Sequence, residues 1–326
     1  MIISERDLFA VLADGRFHSG QELAKLMGVS RTAVWKHLKK IREKGVDVHA
    51  LRGRGYRLVL SVELLDADAL VNHIEDSVQQ RLRNLRVFYQ IDSTNRFLSD
   101  QLTNDNIHAN VILAEYQTHG RGRGGNQWLA GLGSGLCMSI GWHFDSTPKT
   151  LSALSLATGV VLSRSLQQAG CSAIQLKWPN DLLHSGAKLG GILIESRGQL
   201  AGSVDVIIGI GINIEMPEQV ADMIVQDVTD LTRVYGYRPS RNLLAGIIIN
   251  NMFRLLDDYP RLGFDAYISE WRDLDYTRGK NAVLHLPNED VTGRVADIDE
   301  NGLLVMSVGD KLVKFSSGDL SLRILN

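Results

Sequence analysis

The chain has 326 residues, 44% hydrophobic and 22% charged, with 35 Lys+Arg against 37 Asp+Glu for a net charge of −2. This composition is ordinary for a globular protein and excludes a disordered chain, while the length allows about two domains. Cys137 and Cys171 lack the spacing of a zinc ribbon or disulfide framework. With no basic-apolar leader and no apolar run near the ~18 residues of a membrane helix, the expectation is a cytoplasmic protein away from membranes.

The charge is unevenly distributed. Residues 1–60 hold 12 Lys+Arg and 6 Asp+Glu, a net of +6, and the remainder carries −8. A basic head on an acidic body points to nucleic acid as the head's partner.

Leu8, Val11 and Leu12 fall at helical spacing. Ser19-Gly-Gln-Glu22 has capping-box spacing and opens a short helix that Gly28 ends. Ser30 caps the next helix, in which Ala33, Val34, His37, Leu38 and Ile41 keep a 3.6 period up to Gly45. Two helices joined by a short turn predict a helix-turn-helix. Val46, Val48 and Ala50, then Tyr56 and Leu58, alternate about Arg52-Gly-Arg-Gly55, which predicts a hairpin wing with a basic tip. The DNA contacts expected are Arg31, Thr32, Lys36 and Lys39 on the second helix, and Arg52 and Arg54 on the wing. The plainer reading is a solvated charged surface, but capping, turn, wing and charge excess agree on DNA.

Ser61 to Leu65 reads as a junction and Asp66 to Ile74 as a short helix. Strands are predicted at Leu85–Ile91, Val111–Tyr116, Leu136–Phe144, Ile174–Trp178, Leu189–Glu195 and Val204–Ile214. Helices are predicted at Asp92–Leu102, Leu151–Gln168, Leu243–Leu256 and Phe264–Arg272. Several strands follow one another through short turns, so a mixed sheet is expected.

Five segments carry candidate chemistry. In Gly120-Arg-Gly-Arg-Gly-Gly-Asn-Gln-Trp128, glycines let the backbone wrap an anion that two guanidinium groups neutralise; its plainer reading is a basic surface loop. Lys177-Trp-Pro-Asn-Asp181 presents Asn180 and Asp181 at a turn after a strand. Lys188-Leu-Gly-Gly191 sets a lysine at the mouth of a glycine-containing strand, and Gly209-Ile-Gly-Ile-Asn213 repeats the device. Glycine in a strand marks close approach by a ligand or by another backbone. Asp92-Ser-Thr-Asn95 sits where a strand meets a helix, as a cap or as hydroxyls offered to a small polar ligand.

Each segment is weak alone. In this order, behind a winged helix, they resemble the biotin–protein ligase family, specifically its bifunctional bacterial members that also act as biotin operon repressors. The ending Gly318-Asp-Leu-Ser-Leu-Arg323 is similar to the close of that family's small last domain. The resemblance implies an α+β chain: a winged helix-turn-helix over 1–61, a mixed-sheet α/β catalytic domain of the biotin/lipoate ligase type over 66–273, and an SH3-like β-barrel over 274–326.

It further implies activation of biotin with ATP and Mg²⁺ to biotinyl-5′-AMP, then transfer to a lysine of a biotin carboxyl carrier protein. The adenylate would act as corepressor on operator DNA, through a homodimer. Lys188, Arg123 and Asp181 are implied as catalytic. Ser93, Thr94, Asn95, Gln117, Gly120, Arg121, Gly122, Arg123, Lys188 and Gly191 are implied around biotin. Arg123, Trp128, Lys177, Asn180, Asp181, Lys188, Asn213 and Arg323 are implied around the nucleotide, with no protein metal ligand assigned. The need for cations is physical: a carboxylate must attack a phosphate, anion against anion. Asn126 and Gln127 stand where the family commonly has further basic residues. A ligand-sensing repressor without catalysis and a lipoate–protein ligase are the alternatives.

Overall fold

The computed structural model describes residues 4–59, 61–102, 106–198, 202–287, 289–318 and 320–325. Its head begins with α1 (Glu5–Leu12), α2 (Gly20–Met27) and α3 (Arg31–Glu43), followed by the hairpin β1 (Val48–Leu51) and β2 (Gly55–Leu58). Both expected caps form: Ser19 Oγ accepts from the Glu22 amide at 3.0 Å and Ser30 Oγ from the Ala33 amide at 3.2 Å. Each pairs an N–H that the helix itself leaves open. Leu8, Leu12, Leu23, Met27, Val34, Leu38 and Ile41 bury themselves in one small core, so the 3.6 period of the sequence becomes the inner face of the three helices. The winged helix-turn-helix is present as expected.

The body follows with α4 (Ala67–Val71), α5 (Asp76–Gln79), β3 (Asn84–Phe88), α6 (Thr94–Gln101), β4 (Asn110–Ala114), β5 (Gly135–Phe144) and α7 (Leu154–Gln168). Next come β6 (Gln175–Lys177), β7 (Asp181–His184), β8 (Ala187–Gly198), β9 (Val204–Asn213), α8 (Glu218–Ala221), α9 (Leu231–Tyr235), α10 (Arg241–Leu262) and α11 (Ile268–Leu274). Seven strands pair in the order β3-β4-β5-β9-β8-β7-β6. Only β3–β4 is parallel, which gives the mixed sheet expected. Successive residues of a strand face opposite sides. Thus Val111, Leu113 and Ile208 join the main core with α7 and α10, while their neighbours Ile112 and Ile207 pack with Leu98 of α6 on the other face.

The last strands, β10 (Asn281–His285), β11 (Asp290–Ile298), β12 (Leu304–Val308), β13 (Lys311–Phe315) and β14 (Ser321–Ile324), form an antiparallel sheet ordered β13-β12-β11-β10-β14. Ala282, Leu284, Val295 and Met306 continue the body's core without a break. Asp319 of the closing segment lies outside the described residues, as do Met1 to Ile3 of the N-terminus.

Three expectations need correction. The helix read as Leu243–Leu256 runs from Arg241 to Leu262; it is buried almost all round, so no polar face marked its ends. The helix read as Phe264–Arg272 is a 3₁₀ turn at Phe264–Ala266 and then α11. Asp181 opens β7 rather than sitting in a turn.

The junction is docked. Glu63 accepts from the Ser240 hydroxyl at 2.8 Å and from the amides of Arg241 and Asn242. Arg238 donates to the Ser61 carbonyl at 2.8 Å and the Gly133 carbonyl at 2.6 Å. Arg241, fully buried, pairs with Glu115 at 2.8 Å and donates to the carbonyls of Glu63 and Gly135. The head leans on the same seam. Lys44 pairs with Glu5, stands 5.1 Å from the Tyr89 ring and 5.6 Å from the Tyr116 ring, and accepts the Leu132 amide at 2.9 Å. Gly45, at φ +83°, closes α3 where a Cβ would come within 3.0 Å of Val220 and 3.3 Å of the Gly131 backbone.

Candidate functional site

On the α6 face, beyond Ile112 and Ile207, the central strands carry small residues. Cys137 lies opposite Gly211, Ser139 opposite Gly209, and Gly191 beside Gly211. Since Met138 and Ile140 point into the main core, these residues point the other way and leave a shallow floor. The Trp128 indole lies on it: a Cβ on Gly211 would meet the ring at 2.5 Å. Glycine in these strands therefore answers close approach by a side chain, and Trp128 Nε1 is buried there with no hydrogen-bond partner among the described residues. Burial pushes the Cys137 thiol up to about 11, so that group stays neutral and unreactive at physiological pH.

The N-terminus of α6 makes one wall. Ser93 caps the helix, accepting the Arg96 amide at 3.4 Å. Thr94 donates to Gln117 Oε1 from its amide at 2.8 Å and from its hydroxyl at 3.1 Å. Ser139 Oγ lies 2.7 Å from Thr94 Oγ1 and 2.6 Å from Asn95 Oδ1. Asn95 in turn donates to Glu195 Oε2 at 2.9 Å.

The arginine-glycine loop forms the lid. The Trp128 amide donates to Gly120 O at 2.9 Å and the Gly122 amide to Asn126 O at 2.7 Å, closing the loop into a tight excursion. Arg121 pairs with Glu195 Oε1 at 2.9 Å. Arg123 reaches across to Asn180 Oδ1 at 3.5 Å and donates to the carbonyls of Ser317 and Gly318 in the connection between β13 and β14.

A cationic mouth stands at the end of the floor. Lys188 Nζ lies 2.7 Å from Asp181 Oδ1, with Lys177 Nζ 3.8 Å from the other oxygen. A bulge in the β7–β8 ladder, between Leu182 and Leu183, adjusts the register where these groups meet. The Lys188 backbone is held on both sides, donating to Asp227 O and accepting from Thr229 N, each at 2.9 Å. Asn180 fixes the turn by donating to Ile192 O at 2.8 Å. Trp178, fully buried, donates to Gly302 O at 3.1 Å and ties this turn to the last sheet.

The structure thus gathers Ser93, Thr94, Asn95, Gln117, Gly120, Arg121, Gly122, Arg123, Trp128, Lys177, Asn180, Asp181, Lys188 and Gly191 along one floor. Asn213 is buried beneath the mouth and spends its amide on Thr229 O at 3.0 Å. Arg323 is exposed on β14, and no hydrogen bond or ion pair among the described residues joins it to the group. Sequence reading missed Ser139, a lone hydroxyl inside an apolar strand, and Glu195, which lies inside β8 although the strand pattern stopped there. Pattern showed each as a strand position without a partner.

Among the described residues no cluster of three metal-ligating side chains occurs. Asp181 supplies a single carboxylate at the mouth, which suits magnesium carried largely on a ligand's phosphates rather than in a protein cage. On the head, Arg31, Thr32, Lys36 and Lys39 are exposed along α3, and Arg52 and Arg54 are exposed at the wing turn. No helix among the described residues is long and apolar enough to cross a membrane.

Comparison with known proteins matches these parts in order. The family model "HTH domain" matches residues 5–57, "Biotin/lipoate A/B protein ligase family" residues 87–213, and "Biotin protein ligase C terminal domain" residues 279–323. The bifunctional ligase/repressor BirA of Salmonella typhimurium is 34% identical over 97% of this chain and 96% of its own. The biotin–[acetyl-CoA-carboxylase] ligase of Mycobacterium tuberculosis is 32% identical over 73% of this chain and 88% of its own. A solved biotin protein ligase from Aquifex aeolicus, in complex with biotin and ATP, superposes with a TM-score of 0.62 at 26% identity, covering 74% of this chain and all of that one.

Proposed function

The chain belongs to the biotin/lipoate protein ligase family, and from that premise we propose that it is a bifunctional biotin ligase and biotin-operon repressor. It activates biotin with ATP and transfers it to a lysine of a carrier protein, in the cytoplasm. The carrying observation is the bare floor under Trp128 that ends at Lys188 and Asp181. A compact bicyclic ring with a planar ureido edge fits such a floor, and the carboxylate at the end of its side chain would reach the cations at the mouth.

Each chain residue has a task in this reading. Ser93, Thr94 and Gln117 hydrogen-bond the polar edge of biotin's ring, with Asn95 behind them. Gly120, Gly122 and Gly191 let backbone close on the ligand, and Arg121 and Arg123 cover the carboxylate and α-phosphate. Lys188 is the principal electrostatic catalyst. It offsets the repulsion when a carboxylate oxygen attacks the α-phosphorus and the bond to pyrophosphate breaks. Magnesium, when bound with ATP, would supply charge neutralisation on the phosphates, with Asp181 the carboxylate placed to help hold it. Lys177, Asn180 and Trp128 line the nucleotide side, Asn213 supports it through the Lys188 strand, and Arg323 closes over it. In the second step the carrier's lysine amine attacks the acyl carbon, the acyl–phosphate bond breaks and AMP leaves. Asp181 orients that amine and accepts its proton.

The head binds operator DNA through Arg31, Thr32, Lys36, Lys39, Arg52 and Arg54. Adenylate favours a homodimer that spans two half-sites, so unspent adenylate represses. The chain divides into working units at 1–61, 66–273 and 274–326. Incubation with biotin, ATP, Mg²⁺ and a carrier domain, followed by mass analysis, tests the reading. One biotinyl addition on the carrier is expected, unaffected by excess lipoate. An unmodified carrier, with no pyrophosphate released, would leave a ligand sensor without catalysis.

A further inference from the structure

Glu195 has no part in the reaction just described, yet it joins two of that site's elements. One carboxylate oxygen takes the Arg121 guanidinium of the lid at 2.9 Å, and the other takes the Asn95 amide of α6 at 2.9 Å. The Asn95 side chain is fixed by what it touches. Its Nδ2 donates to a carboxylate, so its Oδ1 faces the Ser139 hydroxyl at 2.6 Å, which is the only hydrogen-bonding polarity that fits both partners. Ser139 is fully buried and also meets Thr94, which donates to Gln117. An unbroken polar chain therefore runs Gln117–Thr94–Ser139–Asn95–Glu195–Arg121, from the floor to the lid.

We propose that Glu195 is a positioning residue that sets where Arg121 stands and makes that position depend on the groups that grip the ligand's ring. The physical grounds are charge and reach. A carboxylate 27% exposed and an arginine 47% exposed form a pair that solvent screens only in part. The second oxygen is anchored to a buried amide, so Glu195 is oriented before the lid arrives and loses little freedom on pairing. The pair also forms part of the wall of a cavity of about 630 Å³ beside the lid, lined by Arg96, Asp100, His119 and Arg197 as well. Without Glu195, Arg121 would have that space to turn into. The inference rests on the ligase reading for its kinetic consequence, though not for its structural one.

The test uses the full-length chain and the variants Glu195→Gln, Glu195→Asp, Arg121→Ala and Glu195→Gln/Arg121→Ala. Glutamine can keep the Asn95 contact but brings no charge to Arg121; aspartate keeps the charge at shorter reach. Two readouts are taken. Without ligand, trypsin should cut Glu195→Gln at Arg123–Gly124 several-fold faster than wild type, with an unchanged unfolding midpoint and unchanged cutting elsewhere. With biotin and ATP, Glu195→Gln should raise the biotin KM about two- to fivefold, as expected for losing one partly screened pair, while kcat for adenylate formation stays within about 1.5-fold. Glu195→Asp should recover part of the loss. On the Arg121→Ala background the same change should add nothing, because Glu195 acts through that arginine. Additive effects, a fall in kcat alone, or unchanged lid cutting would overturn the proposal. If wild type forms no adenylate, the ligase reading fails and the trypsin comparison still decides where Glu195 holds the lid.

Discussion

Cations serve both working regions of this molecule, but they are kept differently. On the head, Arg31, Lys36, Lys39 and Arg52 stand in water along one helix and a wing turn. Around the floor, every cation is already engaged: Arg121 with Glu195, Arg123 with the Ser317 and Gly318 carbonyls, Lys188 with Asp181. The head has only to shed counterions when phosphates arrive, so its affinity should fall steeply with salt. In the proposed reading the floor would have to exchange partners when a ligand arrives, and each exchange would move a piece of protein. Solvated charge gives reach; engaged charge gives a site whose occupancy alters its surroundings. The seam between the regions is held by Lys44 against Tyr89 and Arg241 against Glu115.

The largest effect should come from breaking that seam. Arg241→Ala leaves Glu115 buried without its cation, a change that typically costs about 3–5 kcal/mol. A thermal unfolding midpoint within a degree of wild type would remove the seam from the comparison. Next is the mouth itself. Lys188→Ala should slow adenylate formation about 10²–10³-fold, the scale of losing one preorganised charge contact, while binding of the unliganded protein to nonspecific duplex at low salt stays unchanged. Pyrophosphate release and fluorescence anisotropy separate the two; parallel losses would mean the regions are not distinct. Smaller is the head's own contribution. Lys36→Ala should reduce the slope of log affinity against log salt by about one, as for one phosphate contact, without touching biotin transfer.

The gentlest probe is pH at the junction. Burial would raise the Glu63 carboxyl, but hydrogen bonds from Asn242, Ser240 and the Arg241 amide outweigh it and hold it below its ordinary 4.5. A group lowered in the folded state stabilises fully above its unfolded value and loses that contribution as pH falls through the folded one. Unfolding midpoints should therefore converge between wild type and Glu63→Gln as pH drops from 6 towards 3. A constant gap across that range would show that Glu63 does not respond as its surroundings require.

Local pattern carried the head almost completely, because capping, period and turn chemistry act within a few residues. Ser19, Ser30 and the Arg52–Gly55 turn could each be read in isolation. At the floor, pattern gave the residue types and missed the connections. Gly211 announced close approach by something; that it is Trp128, far earlier in the chain, depends on how the lid folds over the β5–β9–β8 pairing. Glu195 looked like the polar end of a strand, and its two partners come from α6 and the lid. Arg241 was invisible as a buried cation, since only its partner Glu115, from another strand's end, makes burial tolerable. The length of α10 was missed for a related reason: a helix wrapped by core on nearly all sides shows no amphipathic edge.

The docked junction has a consequence for the DNA this protein would choose. A head on a slack tether could settle on half-sites at many separations. Here α3 is bolted to the body through Lys44, Gly45 and the clasped residues 61–65. In the proposed dimer the distance between the two wings is therefore a dimension of the catalytic body, like the gap of a caliper. Adding or removing half a helical turn between half-sites should abolish binding rather than weaken it, and a descendant that needs a new spacing would have to reshape its enzyme.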